Sequence, residues 1–354
     1  PRALARIFQR PRGNGVLRRR PKRAIPSLMK RNRFAMGRGL LLVALAVLGV
    51  GCFPTFTFPS DGDANAGTEG MIVLDKGPSQ LEVHYGAEVR YLRLDSYRIA
   101  IDAYEVNVRD FKVWVDAGKP VPKDGASLDS GPYKDQMVWR KDWNTAAQSS
   151  AFLDSPRVGV GGRKAATYLG GYGGGSSGTS SDPPAVDNVP WEQALAYCAY
   201  RGARLPTLPE WIYSANTETG ILQYPWGSEV PASNCNRALF SGEATVDEGA
   251  TVTAPSACDP FRGTQEFAAG GTSEGVFGLA GGVREWTWDL SNDVPPRTTK
   301  APYASQDSLA TNADHYVMGG SYLSGADELV IRNYTHTNSK AKIGDVGFRC
   351  VKSR

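Results

Sequence analysis

The chain has 354 residues, with 40 Lys or Arg and 36 Asp or Glu, and its formal net charge is +4. The charges are unevenly placed: residues 1–51 hold 13 basic and no acidic side chains, so residues 52–354 stand at 27 minus 36, or −9. The positive total is therefore misleading. The basic stretch 1–28 is interpreted as mis-assigned coding sequence or a long leader and not as a phosphate-binding arm, so no nucleic-acid partner is expected.

Residues 1–52 have the order of an export signal. Basic residues between 30 and 38 precede an apolar run, residues 40–50, that is too short to span a bilayer. Cys52 follows it directly, and residues 48–52 look like a lipoprotein signal in which this cysteine is acylated after cleavage. The alternatives are a simple secretory signal and an uncleaved anchor. We expect an exported, membrane-anchored lipoprotein of the bacterial cell envelope.

Residues 53–76 are predicted to be a flexible tether, because residues 53–70 are rich in Pro, Gly, Ser and Asp and show no apolar period. Residues 77–354 are enough for one large domain, and no internal repeat divides them. Their Gly-rich and aromatic-rich composition, with few long helical patterns, predicts a loop-heavy α+β fold. The part from 186 to 354 is the best marked.

The first half of the domain gives weak local signals. Residues 92–106 partly alternate and predict strands, and residues 108–115 present an apolar helical face that Gly118 would end. Residues 120–185 are long and weakly patterned. Within them the glycine-rich run 170–184 lacks both phosphate-binding motifs, so it is predicted to be a mobile surface loop.

The second half is clearer. A helix is predicted from Pro190 to Gly202, and Thr207 can cap a shorter helix with Glu210 as its capping-box partner. Most of the tryptophans that follow are expected to be core residues and not ligand platforms. They are Trp191, Trp211, Trp226, Trp286 and Trp288.

Five different short motifs follow one another in the last 170 residues or so. They are RLPTLPEWIYSA at 204–215, YPWG at 224–227, GLAGGVREWTWD at 278–289, GGSY at 319–322 and GFRC at 347–350. This order resembles the formylglycine-generating enzyme (sulfatase-modifying factor) family. The resemblance covers roughly residues 90–354 and implies a variant of the C-type lectin fold with little regular secondary structure.

The resemblance also implies a chemistry, in which a copper ion on two cysteine thiolates near the C-terminus oxidises a substrate cysteine to formylglycine. Between Ser321 and Arg349, where that pair should lie, the chain has no cysteine. We therefore expect the family scaffold without the oxidase activity, and we do not expect copper.

Setting Cys52 aside for lipid leaves an even number of cysteines in an exported protein, where disulfides persist. Sequence alone does not choose among the three connectivities, and the alternatives are free buried thiols or a zinc site. No CxxC spacing occurs and only three histidines are present, so zinc is not expected. The resemblance pairs Cys198 with Cys350, which leaves Cys235 with Cys258.

The resemblance further implies structural calcium bound through oxygen ligands. Asn236, which follows the YPWG motif, offers one such ligand, and Glu285 offers another in the segment GGVREW. In that segment Gly282 takes the position where the family has Asn, and glycine donates no side-chain ligand. The sequence thus supports one calcium site at most; the alternative is that Asn236 only caps a turn.

Another metal would need other ligands. His315 and His336 bracket the GGSY motif and are the only candidates for a catalytic metal, with Asp345 as a neighbouring carboxylate. Ser321 does not stand in a GxSxG nucleophile elbow, so a hydrogen bond in a tight turn is its expected role. Arg284, beside two tryptophans, either projects into the cleft or makes a surface salt bridge.

The leading hypothesis is a binding or accessory module for a protein, peptide or glycan at the cell envelope. Its pocket would be walled by residues 319–337 and by the loops within 120–185. The rival hypothesis is a metal-dependent oxidoreductase that uses the two histidines, and a third is a structural role in an envelope complex. The residues expected to line the cleft are Arg284, Trp286, Ser321, Tyr322, Arg332 and Tyr334.

Overall fold

The computed structural model describes residues 70–75, 80–85, 87–93, 98–149, 183–216, 222–231, 236–240, 264–265, 267–292, 313–341 and 343–354. The predicted export signal with Cys52, residues 170–182 of the glycine-rich run, and the cysteines Cys235 and Cys258 lie outside these residues. In the described part, none of the helices combines the length and the apolar character needed to cross a membrane.

The described strands form three small sheets. The first has the order β1-β4-β9 and is antiparallel, the second is the antiparallel ribbon β2-β3, and the third has the order β7-β6-β5-β8, with β8 parallel to β5. The strands are β1 (Met71–Leu74), β2 (Gln80–Tyr85), β3 (Glu88–Arg93), β4 (Ile99–Asp102), β5 (Arg284–Leu290), β6 (Asp314–Met318), β7 (Tyr334–Asn338), β8 (Val346–Gly347) and β9 (Val351–Ser353).

Strand β1 starts inside the stretch predicted to be a tether. Met71 lies opposite Asp102 of β4, and Leu74 is buried against the core. The folded part therefore begins before residue 77. The physical reason is that a four-residue apolar run finds its partner strand far along the chain, which no local pattern reveals.

The predicted helices are confirmed. The described helices are α1 (Val108–Asp116), α2 (Asn144–Ala147), α3 (Trp191–Tyr200) and α4 (Leu208–Ala215), with 3₁₀ helices at Lys141–Trp143 and Ala326–Leu329. Asn107 caps α1 by accepting from the Asp110 amide at 3.0 Å. The capping box of Thr207 and Glu210 at the start of α4 is present as expected.

The core is dominated by tryptophans. Trp143, Trp191 and Trp288 are fully buried, and their ring centroids lie 5.3 to 6.3 Å apart in tilted or edge-to-face contacts. Four of the five tryptophans expected in the core are buried there. Trp226 is half-buried and stacks on Tyr224 instead.

A disulfide between Cys198 of α3 and Cys350, just before β9, closes the core and confirms the pairing expected from the resemblance. Both cysteines are fully buried. The bond fixes the C-terminal strand to the central helix, and β9 in turn pairs with β4. The C-terminal motifs are thereby held against the first strands of the domain.

Candidate functional site

Three segments meet at the candidate site: the first residue of β5, the GGSY turn and the residues before β8. Arg284 donates from Nη2 to Asp345 Oδ1 at 2.7 Å and from Nε to Asp345 Oδ2 at 3.1 Å. Ser321 Oγ donates to the same Oδ2 at 2.5 Å. The Asp345 side chain is only 4% exposed, so a two-point contact with arginine stabilises a nearly buried carboxylate.

Neighbouring segments are tied to this cluster. Arg284 Nη1 also donates to Thr335 Oγ1 of β7 at 3.2 Å, and the Tyr322 hydroxyl donates to the Gly344 carbonyl at 2.7 Å. Ser321 is fully buried, and its hydroxyl accepts from the Leu323 amide at 3.1 Å. Its oxygen is thus used within a tight turn and is not presented to solvent.

Arg284, Ser321 and Tyr322 are therefore close together, whereas the other expected cleft residues do not join them directly. Trp286 lies in the core, where its indole N–H donates to the Val189 carbonyl at 2.7 Å. β5 is buried along nearly its whole length, so apolar and polar residues do not alternate along it in a way that shows which side chains face outward.

The last two expected cleft residues contact other elements. Arg332 lies 3.6 Å from Glu82 of β2, and His84 Nε2 contacts the same carboxylate at 2.8 Å. Tyr334 is half-buried and packs edge-to-face on Tyr316, with centroids 5.2 Å apart. These contacts attach the β2-β3 ribbon and β7 to the body of the domain.

The two candidate metal-binding histidines point to opposite faces of the third sheet. In the register of β6 and β7, His336 is opposite Tyr316, while His315 is opposite Thr337. Neighbouring residues of a strand alternate between faces, so the two imidazoles are separated by the sheet. They cannot share a metal ion in this arrangement.

The surroundings of the histidines agree with this separation. His315 is buried, its Nδ1 lies 3.0 Å from the Trp288 carbonyl, and its ring stacks on Trp191 with centroids 4.2 Å apart. Burial lowers the pKa of His315 to about 3, so the ring stays neutral. His336 is exposed, 3.8 Å from Asp314. Among the described residues, no three His, Cys, Asp or Glu side chains are grouped to hold a metal ion.

Glu285, the expected calcium ligand in GGVREW, is engaged by other groups. Its Oε1 accepts from Arg349 Nη2 at 2.7 Å, and its Oε2 accepts from Arg349 Nε at 2.7 Å and from the Trp211 indole at 2.8 Å. Both charged side chains are fully buried, and the guanidinium balances the carboxylate. Glu285 therefore does not fit a calcium ligand. Asn236 is exposed, and calcium there stays a prediction.

Sequence reasoning missed one buried acid beside this pair. Glu105 is 4% exposed, and its Oε1 accepts from the Val283 amide at 3.1 Å. Burial, aided by the charge of Glu285, raises the pKa of Glu105 to about 8. The available signal was the position of Glu105 between Tyr104 and Val106 in the stretch that enters the fold. A carboxyl in such a stretch is expected to have a buried partner.

Comparisons with known proteins agree with the motif order. A family model described as the sulfatase-modifying factor enzyme 1-like domain matches residues 58–354. A formylglycine-generating enzyme of Thermomonospora curvata is 29% identical over 275 residues, which cover 74% of this chain and 84% of that protein.

Two further relatives match over a shorter part. The formylglycine-generating enzyme of Streptomyces coelicolor is 29% identical over 47% of this chain and 52% of its own length. A bovine protein named "Inactive C-alpha-formylglycine-generating enzyme 2" is 29% identical over 47% of this chain and 49% of its own length. The chain thus spans about half the length of these two relatives.

Two solved structures match the chain over most of its length. PvdO from Pseudomonas aeruginosa is 15% identical, with a TM-score of 0.46, and the match covers 80% of this chain and 94% of that one. CarF is also 15% identical, with a TM-score of 0.40, and covers 80% of this chain and 98% of its own. Because the family model spans most of the sequence, the chain belongs to the sulfatase-modifying factor enzyme 1-like family, whose fold is a variant of the C-type lectin fold.

Proposed function

We propose that this protein is an exported, membrane-anchored family member that does not oxidise cysteine and acts as a binding or accessory module. Its ligand would be a protein, peptide or glycan at the cell envelope. One observation carries the proposal: no cysteine lies between Ser321 and Arg349, and the next one, Cys350, is bonded to Cys198. A thiolate pair for copper is therefore missing from the segment where the family chemistry requires it.

The local geometry supports a binding role. The cluster of Arg284, Asp345 and Ser321 is charge-balanced and internally hydrogen-bonded, so it forms a rigid base and not a reactive centre. Beside it, Tyr322 is half-buried and Leu323 is 43% exposed. An aromatic and an aliphatic side chain on a rigid turn are suited to contact a partner surface. The bovine relative is named as inactive, which supports the use of this scaffold without the oxidation.

The rival oxidoreductase finds no support in the described residues. It depends on His315 and His336, and these lie on opposite faces of one sheet. His315 is moreover a neutral core residue stacked on Trp191.

An activity assay tests the first half of the proposal. The full chain, expressed through an oxidising compartment, would be incubated with copper, oxygen and a cysteine-containing sulfatase peptide, and the peptide mass would be followed. The Thermomonospora curvata enzyme, assayed in parallel, is the positive control. We expect no conversion to the aldehyde. Turnover of the peptide would overturn the proposal.

Site-specific photo-crosslinking tests the second half. A photoreactive residue would replace Leu323 beside the cluster, and in a matched control it would replace Val113 on α1, which is also exposed. In cells expressing the full chain, we expect a discrete crosslinked species from position 323 and none from position 113. Identical patterns from both positions would contradict a binding surface at the GGSY turn.

The anchor rests on the sequence of residues 48–52 and is tested separately. Wild-type protein is expected to incorporate an alkyne-labelled fatty acid and to sediment with membranes. The Cys52→Ser variant is expected to lose the label. An unlabelled wild-type protein would argue for one of the alternative signals.

A further inference from the structure

The carboxyl of Glu105 occupies the space above two glycines of the GLAGGVREW segment. A Cβ atom built on Gly278 would lie 2.5 Å from Glu105 Oε2. A Cβ atom on Gly282 would overlap Glu105 Oε1 even more closely, well inside an ordinary van der Waals contact. Any side chain at position 282 therefore competes with Glu105 for the same volume.

The backbone at Gly282 adds to this restriction without excluding every residue. Its φ is +71°, a left-handed conformation that asparagine tolerates better than most residues other than glycine. The conformation alone would therefore permit Asn at this position. An Asn side chain here would have to displace the Glu105 carboxyl, which extends from the segment between β4 and α1.

Glu105 also contributes to holding this segment in place. Its Oε1 accepts the Val283 amide, so it satisfies a backbone donor one residue after Gly282. Nearby, Glu285 is balanced by Arg349, whose other N–H groups donate to the carbonyls of Asp102 and Phe277. Because burial raises its pKa, the Glu105 carboxyl is mostly protonated at neutral pH and needs no cation to balance it.

We propose that Glu105 and Gly282 are energetically coupled. The buried Glu105 carboxyl, and not a bound cation, holds residues 278–283 against the segment between β4 and α1. The resemblance implies calcium ligands in this segment, but Gly282 has no side-chain ligand and Glu285 is paired with Arg349. The coupling does not depend on which partner the GGSY turn binds.

A double-mutant cycle in the full chain tests the coupling. The variants are Gly282→Asn, Glu105→Ala and the two combined, and their thermal unfolding is compared. Gly125→Asn is the matched control, because Gly125 has a φ of +74° and nothing within 4 Å of a built Cβ. We expect Gly282→Asn to lower the Tm by roughly 10 °C or more beyond the control. We expect the loss of Tm in the double variant to be much smaller than the sum of the losses in the two single variants.

The outcomes are decisive in both directions. If Gly282→Asn alone does not fold and the double variant does, the coupling is supported. If the two substitutions are additive, if Gly282→Asn is as mild as Gly125→Asn, or if the double variant also fails to fold, the coupling is overturned.

Calcium chloride and EGTA provide an independent readout. We expect neither to change the difference in Tm between wild type and Glu105→Gln. A calcium-dependent rise in the wild-type Tm that Glu105→Gln abolishes would make Glu105 a cation ligand and would overturn the proposal.

Discussion

Two buried residues, His315 and Glu105, have pKa values displaced so that each stays uncharged in the folded protein near neutrality. His315 lies in the tryptophan core, and Glu105 lies against Gly278 and Gly282. Desolvation is the main cause in both cases. Because one is a base and the other an acid, they make the stability depend on pH in different windows.

His315 is expected to destabilise the fold in acid. The unfolded chain binds a proton below about pH 6.5, whereas the folded chain does so only near pH 3, so stability is lost as pH falls through this window, by up to about 5 kcal/mol. His315→Phe keeps a ring against Trp191 but cannot titrate. As the pH falls from 6 to 4, we expect the unfolding free energy of the variant minus that of the wild type to rise by about 1 kcal/mol per pH unit.

Urea denaturation at each pH measures this difference. His336→Phe, at an exposed position, is the control for replacing a histidine by phenylalanine. Parallel pH profiles for wild type and His315→Phe would contradict a neutral buried imidazole.

Glu105 should act in the opposite range. Above about pH 4.5 the unfolded chain releases a proton that the folded chain keeps until about pH 8, so stability falls as pH rises between these values. Glu105→Gln removes this loss. As the pH rises from 4 to 8, we expect the unfolding free energy of the variant to increase by about 3 to 5 kcal/mol relative to that of the wild type.

Chemical denaturation at pH 4, 6 and 8 checks this expectation. Glu274→Gln, four residues before Gly278, controls for the general loss of a carboxylate. A constant difference between wild type and Glu105→Gln would show that Glu105 is ionised in the folded protein.

At the scale of elements, the first turn of α4 combines a cap with a buried ion pair. Thr207 Oγ1 accepts from the Glu210 amide at 3.2 Å, and the Glu210 carboxylate accepts from the Thr207 amide at 2.8 Å. The same carboxylate accepts from Arg204 Nη1 at 2.6 Å and Nη2 at 2.8 Å. Arg204 also pairs with Asp129, so the capping residue anchors α4 to a distant loop.

Two substitutions separate the cap from the ion pair. Thr207→Ala should cost about 1 kcal/mol because it removes one capping bond. Glu210→Gln should cost about 3 kcal/mol or more because it removes one carboxylate from a buried guanidinium. Urea denaturation of both variants at pH 7 gives the comparison. Equal losses would mean that the ion pair adds nothing beyond the cap.

Helices α1, α3 and α4 were predictable because their signals are local. Thr207, Glu210 and Gly118 lie within one turn of the helix ends that they determine. The strand pairings were not predictable, because β1 finds β4 only through contacts distant in sequence.

The candidate site shows the same division between local and distant information. The motifs predict Arg284 and Ser321 as cleft residues. Asp345, which binds both of them, is predicted only as a carboxylate near the two histidines. Trp286 was expected both among the core tryptophans and in the cleft, and it lies in the core because both faces of β5 are buried. The surroundings of Glu105 required the folded chain, since Val283 is 178 residues away.

For the molecule as a whole, the disulfide is a long-range covalent connection between α3 and the residue before β9. Cys198 and Cys350 are 152 residues apart, so the bond restricts the unfolded chain strongly. We expect the Cys198→Ala/Cys350→Ala variant to lose about 2 to 5 kcal/mol in unfolding free energy.

Thermal unfolding of this variant, beside wild type with and without reductant, measures the loss. An unchanged unfolding temperature would show that packing alone fixes β9 to the domain.

The tryptophan core also gives the protein an optical property. Trp139, Trp143, Trp191 and Trp288 form a chain of contacts with successive ring centroids 5.4, 5.3 and 5.7 Å apart. Indoles this close and held at fixed angles couple their electronic transitions, which produces paired bands of opposite sign in the circular dichroism spectrum. Trp139 and Trp143 lie near α2, Trp191 starts α3 and Trp288 belongs to β5, so this signal reports on the mutual packing of all three elements.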